Sequence, residues 1–297
     1  MSRTREWMER FVSWFVDIGF KHLLMLVLVA FALFPIVWII SASINPVGSL
    51  AGQELIPENA TLENYRIFFT NGGDEYKAPF LLWLWNSLKL AVLTGVFGTF
   101  MCALGAYAFS RFRFTGRRTG LLGLLLIQMF PQMLAMVAIY ALLLNLGGFI
   151  PWAGLNTHLG LLMVYLGGAL GFNTWLMKGY FDSIPHSLEE SAQVDGASHF
   201  QAFVRIILPL ARPILTVIFI LTVISVYSDF ILASILLQDS SKYTLAVGLK
   251  LFIFNNYDAR WGIFAAAAII GAIPIVVIFL ALQDQLIGGL TQGSVKG

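Results

Sequence analysis

Three carboxylates, Glu189, Glu190 and Asp195, lie close together in the most polar stretch between two long apolar runs of the chain. A pair of carboxylates can perform general acid–base catalysis when both side chains face the same reacting group. Neighbouring residues of a helix instead point about 100° apart and do not face each other. We therefore expect these carboxylates to bind amides or arginines of another protein, or to remain solvated.

The other residue types that could carry chemistry are scattered. His22, His158, His186 and His199 stand singly, without the spacing of a zinc site, and Cys102 is the only cysteine. No G-x-x-x-x-G-K-[S/T] phosphate-binding loop occurs in the sequence. The sequence therefore predicts no metal site, no bound cofactor and no enzyme. ATP would have to be bound by a separate polypeptide.

We call residues 187–203, which contain the three carboxylates, the polar segment. Ser187 is followed three residues later by Glu190, and Ser198 by Gln201, which is the pattern of a helix-capping box. Gly196 lies between the two patterns and can adopt the left-handed conformation that ends a helix. The segment is therefore predicted to form two short helices that meet at an angle, within a loop of about residues 178–206.

The polar segment also carries small and apolar side chains that could contact another protein. These are Leu188, Ser191, Ala192, Val194, Ala197 and Phe200. Together with Glu189, Glu190, Asp195 and Gly196 they form the predicted docking surface. The alternative is an exposed loop whose carboxylates only cap helices or face water.

The composition places these residues in a membrane protein. Of the 297 residues, 58% are hydrophobic and 11% are charged, whereas soluble domains contain about 25% charged residues. This excludes a soluble globular protein, and no basic patch interleaved with aromatic residues indicates nucleic-acid binding. Stretches long and apolar enough to span a bilayer lie at 22–44, 86–109, 119–143, 158–177, 207–233 and 261–283.

The predicted fold class is therefore an all-α integral membrane protein with six transmembrane helices. Large apolar residues recur at helical spacing within residues 1–21, which predicts an amphipathic helix at the membrane surface. The spans occupy residues 22–283, and residues 284–297 form a tail. Arginine and lysine are concentrated in the segments that share a side with the N-terminus. We therefore expect both termini and the polar segment to be cytoplasmic.

The polar segment resembles the coupling loop of ABC importer permeases, whose pattern is Glu-Ala-Ala, three residues, Gly and later Leu-Pro. Here it reads Glu190-Ser191-Ala192, Gly196 and Leu208-Pro209, with Ser191 in place of an alanine. Other stretches resemble the sugar branch of this family, and especially its MalG-type permeases of maltose and maltodextrin importers. They are residues 64–66, 82–87, 107–111, 154–158, 165–168, 243–248 and 289–297.

The resemblance implies a permease subunit of an ATP-driven carbohydrate importer in a bacterial inner membrane. The implied partners are a second, MalF-like permease, two MalK-like ATP-binding subunits and an extracytoplasmic sugar-binding protein. The resemblance further implies that the polar segment docks on the ATPase, and that residues 255–261 meet the binding protein. It also implies that the tail reaches the ATPase through Gly293, Ser294, Val295, Lys296 and Gly297.

Polar side chains within the predicted spans are candidates for the sugar path, because sugars are bound by hydrogen-bonding side chains and aromatic faces. The candidates are Gln128, Gln132, Asn173, Thr174, Ser225, Ser228 and Asp229. Such residues can equally bond neighbouring helices. Asp229, the one carboxylate placed well within a span, is either functional or a solvated or paired group.

Three alternatives to a maltose or maltodextrin importer remain open. The same machine could carry another cargo, such as trehalose or a sugar alcohol. A self-contained secondary transporter would couple to ions through Asp229. An intramembrane enzyme would need convergent Ser/His, paired Asp or metal-ligand residues at matching depth, and the sequence shows no such set.

Overall fold

The computed structural model describes residues 15–46, 54–70, 79–253 and 260–292, and every regular element in these ranges is a helix. This confirms the all-α class. The α-helices are α1 (Phe20–Ile44), α2 (Glu63–Phe69), α3 (Phe80–Arg111), α4 (Arg117–Gln128), α5 (Gln132–Phe149), α6 (His158–Ser183), α7 (Ser187–Val194), α8 (His199–Ala202), α9 (Leu208–Leu210), α10 (Arg212–Tyr227), α11 (Ile231–Leu236), α12 (Leu245–Leu249) and α13 (Trp261–Gln292).

Within the described ranges, four helices are individually long and apolar enough to cross a membrane: α1, α3, α6 and the Trp261–Gln285 part of α13. The other two predicted spans are each broken. The helices Arg117–Gln128 and Met133–Phe149 meet at 99°, and His199–Leu210 meets Arg212–Tyr227 at 77°. The span count is therefore six when each bent pair crosses as one unit.

Prolines account for the two bends. Pro131 lies between α4 and α5, and Pro213 is the second residue of α10. A proline ring has no N–H to donate and clashes with the preceding helical turn, so a helix ends or kinks before it. The sequence locates these prolines inside apolar runs, but run length alone does not reveal the bends.

The described parts of residues 1–76 and 252–269 form one compact unit. In it, Asn64 fastens α2 to the end of α1, because its Nδ2 donates to the carbonyls of Ser43 at 2.9 Å and Asn45 at 3.0 Å. Tyr65 adds a hydroxyl bond of 2.8 Å to Ser43 Oγ. The predicted surface helix of residues 1–21 lies mostly outside the described residues, whose first element is a π-helical turn at Phe15–Gly19.

A second compact unit contains residues 77–251 and 270–297, as far as they are described. Its central helix is α3, which packs along α6 and α10. Glycines allow this close packing: a Cβ added at Gly95 would lie 2.7 Å from Val223 Cγ2. Near the Arg111 end of α3, an apolar cluster joins this helix to α6 and to the start of α10; it includes Tyr107, Phe181 and Phe203.

At the other end of α3, the residues before α12 are held by hydrogen bonds. Trp83 Nε1 donates to the carbonyl of Ser240 at 2.7 Å, and Asn86 Nδ2 donates to the carbonyls of Ser241 and Tyr243, each at 3.1 Å. The Trp83 ring is fully buried. This residue therefore packs inside the protein, although tryptophans near the end of a span commonly face lipid headgroups.

Candidate functional site

The polar segment forms two helices, α7 and α8, as its sequence predicts. The second capping box is confirmed: Ser198 Oγ accepts from the amide of Gln201 at 3.2 Å, and Gln201 Oε1 accepts from the amide of Ser198 at 2.8 Å. The first is wrong, since Ser187 is already the first residue of α7 and makes no cap. Carbonyls of Pro185 and His186 accept the first amide bonds instead, so no side-chain acceptor is needed there.

Gly196 ends α7 in the predicted manner. Its φ of +88° lies in the left-handed region. The amide of Ala197 donates to the carbonyl of Ala192 at 2.9 Å, and the amide of Gly196 donates to the carbonyl of Gln193 at 3.0 Å. These two bonds are a Schellman motif, which satisfies the last carbonyls of the helix and turns the chain toward α8.

Glu189 is buried, although the sequence analysis places it on the predicted docking surface. Its side chain is 5% exposed, and it forms an ion pair with Arg111, the last residue of α3. Tyr107 donates its hydroxyl to Glu189 Oε2 at 2.8 Å. Glu189 therefore points into the protein and is not part of a docking surface. The sequence offered one signal for this pair: an arginine at the end of an apolar span needs a polar partner.

The remaining predicted docking residues lie on or near the surface. Val194 is 87% exposed and Phe200 is 64% exposed, and Leu188 is also exposed. The polar neighbours Glu190, Ser191, Asp195 and Gly196 are exposed, and Ala192 and Ala197 are half-buried. Large apolar side chains in water, surrounded by polar ones, are typical of a surface that another protein covers.

The structure describes the side-chain surroundings of six of the seven predicted path residues. Gln128 bonds the backbone of α6: its Nε2 donates to the carbonyl of Gly168 at 2.8 Å, and its Oε1 accepts from the amide of Phe172 at 3.0 Å. Thr174 is buried, Asn173 is half-buried, and Ser225 and Ser228 are exposed. The side chain of Gln132 and the tail residues 293–297 lie outside the described structure. For Gln128 the structure favours helix packing over sugar binding.

Asp229 accepts hydrogen bonds from two other groups of the protein. Its Oδ2 accepts from the Tyr165 hydroxyl at 2.8 Å and from the amide of Ala233, in the first turn of α11, at 3.0 Å. These bonds satisfy a free helix amide and orient Tyr165, whose side chain is buried. The arrangement is that of a paired structural carboxylate.

We predict that the transport implied by the family resemblance is retained within about twofold in Asp229→Asn, since the amide oxygen of asparagine can accept both bonds that Asp229 Oδ2 accepts. Asp229→Leu should transport poorly, because each unpaired buried donor costs about 1–3 kcal/mol. Uptake assays on the two variants test this. An ion-coupled transporter would instead lose uptake with asparagine as well.

The described residues contain no group of three or more His, Cys, Asp or Glu side chains that could hold a metal ion.

The sequence profile of the family described as "Binding-protein-dependent transport system inner membrane component" matches residues 95–291, which include the polar segment and most of the described helices. The chain belongs to this family. It is thus a multi-pass inner-membrane component of a binding-protein-dependent transport system.

Similar proteins agree with this assignment to the permease family. The chain is 45% identical to the maltose/maltodextrin transport system permease protein MalG of Photorhabdus laumondii, over 93% of this chain and 95% of that protein. It is 43% identical to MalG of Escherichia coli K12, over 93% and 95% respectively. A chain in the crystal structure of a bacterial ABC transporter that imports the acidic polysaccharide alginate matches with a TM-score of 0.72 and 26% identity, covering 92% of this permease and 97% of that chain.

Proposed function

We propose that this chain is the permease subunit of an ATP-driven importer of maltose or maltodextrins. The carrying observation is the 45% identity, over 93% of the chain, to permeases named for these sugars. The chain would form half of the translocation path, and a MalF-like second permease would form the other half. A sugar-binding protein would deliver the cargo from outside, with both termini and the polar segment on the cytoplasmic side.

The polar segment would receive the work of ATP hydrolysis. A separate pair of MalK-like ATPase subunits would bind the exposed faces of α7 and α8, with Val194 and Phe200 as apolar anchors. Glu190 and Asp195 would bond amides or arginines at the rim of this contact. The absence of a phosphate-binding loop from the sequence supports a separate ATPase. Residues 293–297 would add a second contact to it.

The structure supports a rigid path from this surface into the membrane helices. Phe203 and Ile207, which follow α8, are fully buried in the apolar cluster beside α3 and α6. Close packing of this kind moves as a unit when one part is displaced. Closure of the ATPase pair would therefore tilt the helix bundle against the second permease, and the sugar site would open to one side at a time.

The substrate is tested by purifying the chain with its partner subunits and measuring ATP hydrolysis with the binding protein and different sugars. Maltose and longer maltodextrins should stimulate hydrolysis, whereas trehalose and sugar alcohols should not. Stimulation by trehalose or a sugar alcohol alone would keep the importer but change its cargo. ATP hydrolysis that responds to no carbohydrate would contradict the proposed function.

A further inference from the structure

Arg111 is held at four points at the end of α3. Its side chain is 4% exposed, and its Nε donates to Glu189 Oε1. One terminal nitrogen, Nη2, donates to the carbonyl of Ile184 at 3.0 Å. The other, Nη1, donates to Ser110 Oγ at 3.1 Å and lies 3.4 Å from His186 Nε2. The guanidinium therefore bonds both α7 and the residues that lead into it.

Tyr107, one turn before Arg111, makes a second link. Its hydroxyl lies 2.8 Å from Glu189 Oε2 and 3.2 Å from the carbonyl of His199. Glu189 belongs to α7 and His199 to α8, so the end of α3 contacts both helices of the polar segment. Ser110 extends the network to α6, because its Oγ donates to Asp182 Oδ1 at 2.7 Å.

The path of the chain makes these contacts mechanically important. The polar segment continues from α6 and leads into α9 and α10, so those helices are joined to it covalently. Helix α3 is not directly connected to the polar segment by the chain, since Arg111 and Glu189 are 78 residues apart in sequence. A displacement of the polar segment can reach α3 only through non-covalent contacts. Apolar contacts resist separation but have little directional preference, whereas a guanidinium bonded at several points fixes position and angle.

We propose that Arg111 is a positioning residue which passes the movement of the polar segment to α3. The Arg111–Glu189 pair makes α3, the end of α6 and the polar segment one rigid body during transport. The inference deepens the proposed function and rests on it. Separating the pair would leave a buried charge without its partner, so the pair remains closed while the ATPase moves the segment.

The ratio of sugar transported to ATP hydrolysed tests this role in the complete complex with its partner subunits. We expect Arg111→Met and Glu189→Gln to lower this ratio about tenfold, a change typical of lost coupling between sites. Arg111→Lys should retain part of it, because lysine keeps the charge. The matched control is Arg118→Met, which removes an exposed arginine from the nearby α4. It should keep the wild-type ratio, and so should a variant that only lowers the yield of folded complex.

Spin labels measure the rigid body directly, in a background of Cys102→Ala. Labels at Arg113→Cys and Ser187→Cys, two exposed positions, report the distance between the end of α3 and the start of α7. In the otherwise wild-type complex this distance should be the same with and without ATP. Glu189→Gln should broaden the distribution of distances between the two labels. This readout decides the matter if Arg111→Met fails to assemble.

The possible failures can be told apart. A wild-type complex with ATP-driven uptake, together with an unchanged transport ratio in Arg111→Met and Glu189→Gln, overturns the role of Arg111 and leaves the proposed function intact. A label distance that changes with ATP in the wild type overturns the rigid body in the same way. A wild-type complex without ATP-driven sugar uptake overturns the proposed function and this inference with it.

Discussion

Gly196→Val is expected to reduce transport by at least about tenfold and to weaken the binding of the ATPase subunits. Gly196 has a φ of +88°, at the turn where α7 ends and the chain enters α8. A residue with a Cβ costs about 1–2 kcal/mol in this conformation, and a β-branched one is rarer still. Since about 1.4 kcal/mol is tenfold in an equilibrium, strain of this size at the turn would weaken ATPase binding to the two helices about tenfold.

The matched control is Gly196→Asn. Asparagine tolerates the left-handed conformation, and a Cβ at this position would meet no atom within 4 Å. The asparagine variant should therefore bind the ATPase and transport nearly as the wild type does. Co-purification of the ATPase and uptake assays compare the two variants. Equal behaviour of valine and glycine would show that the angle between α7 and α8 is unimportant.

Gly248→Ala is expected to prevent recovery of folded protein, although it adds a single methyl group. A Cβ at Gly248, in α12, would lie 2.1 Å from Trp83 Cε3. The ring cannot move aside easily, because it is fully buried and its Nε1 is bonded to Ser240. Overpacking a core costs about 1–3 kcal/mol when neighbours relax and more when they do not. The yield of monodisperse protein in detergent and its Tm measure this effect.

Gly179→Ala is the control for that substitution. Gly179 lies in α6, and a Cβ there would meet no atom within 4 Å. Alanine is favoured over glycine inside a helix by about 1 kcal/mol, so the yield and Tm should match or exceed those of the wild type. If Gly248→Ala folds equally well, the packing of α12 on α3 is looser than the structure indicates.

Features that depend on groups close together in the chain can be predicted correctly from the sequence. The Ser198 box and the Gly196 turn each depend on atoms within a few residues, and both are present. Ser187 fails by the same logic, because Pro185 and His186 place backbone acceptors one turn earlier. The strength of a capping pattern therefore depends on the residues that precede it.

Side-chain pairs between residues far apart in the chain could not be predicted from the sequence. Glu189 and Glu190 are the same residue type side by side, yet one is buried against Arg111 and the other is exposed. Which of them faces inward depends on the angle of α7 relative to α3, and that angle is fixed by contacts between residues far apart in sequence, such as the bond from Arg111 Nη2 to the carbonyl of Ile184. Periodicity within so short a helix cannot fix such an angle. The bend angles at Pro131 and Pro213 are likewise not given by the sequence, since a proline breaks or kinks a helix without fixing the angle.

The most direct test of the account is sugar uptake into proteoliposomes that contain the two permease subunits, with and without the ATPase subunits. We predict maltose or maltodextrin uptake only when the ATPase, ATP and the binding protein are all present, and loss of this uptake in Gly196→Val. Uptake by the permease subunits alone, driven by an ion gradient, would contradict the claim that work enters this chain through α7 and α8.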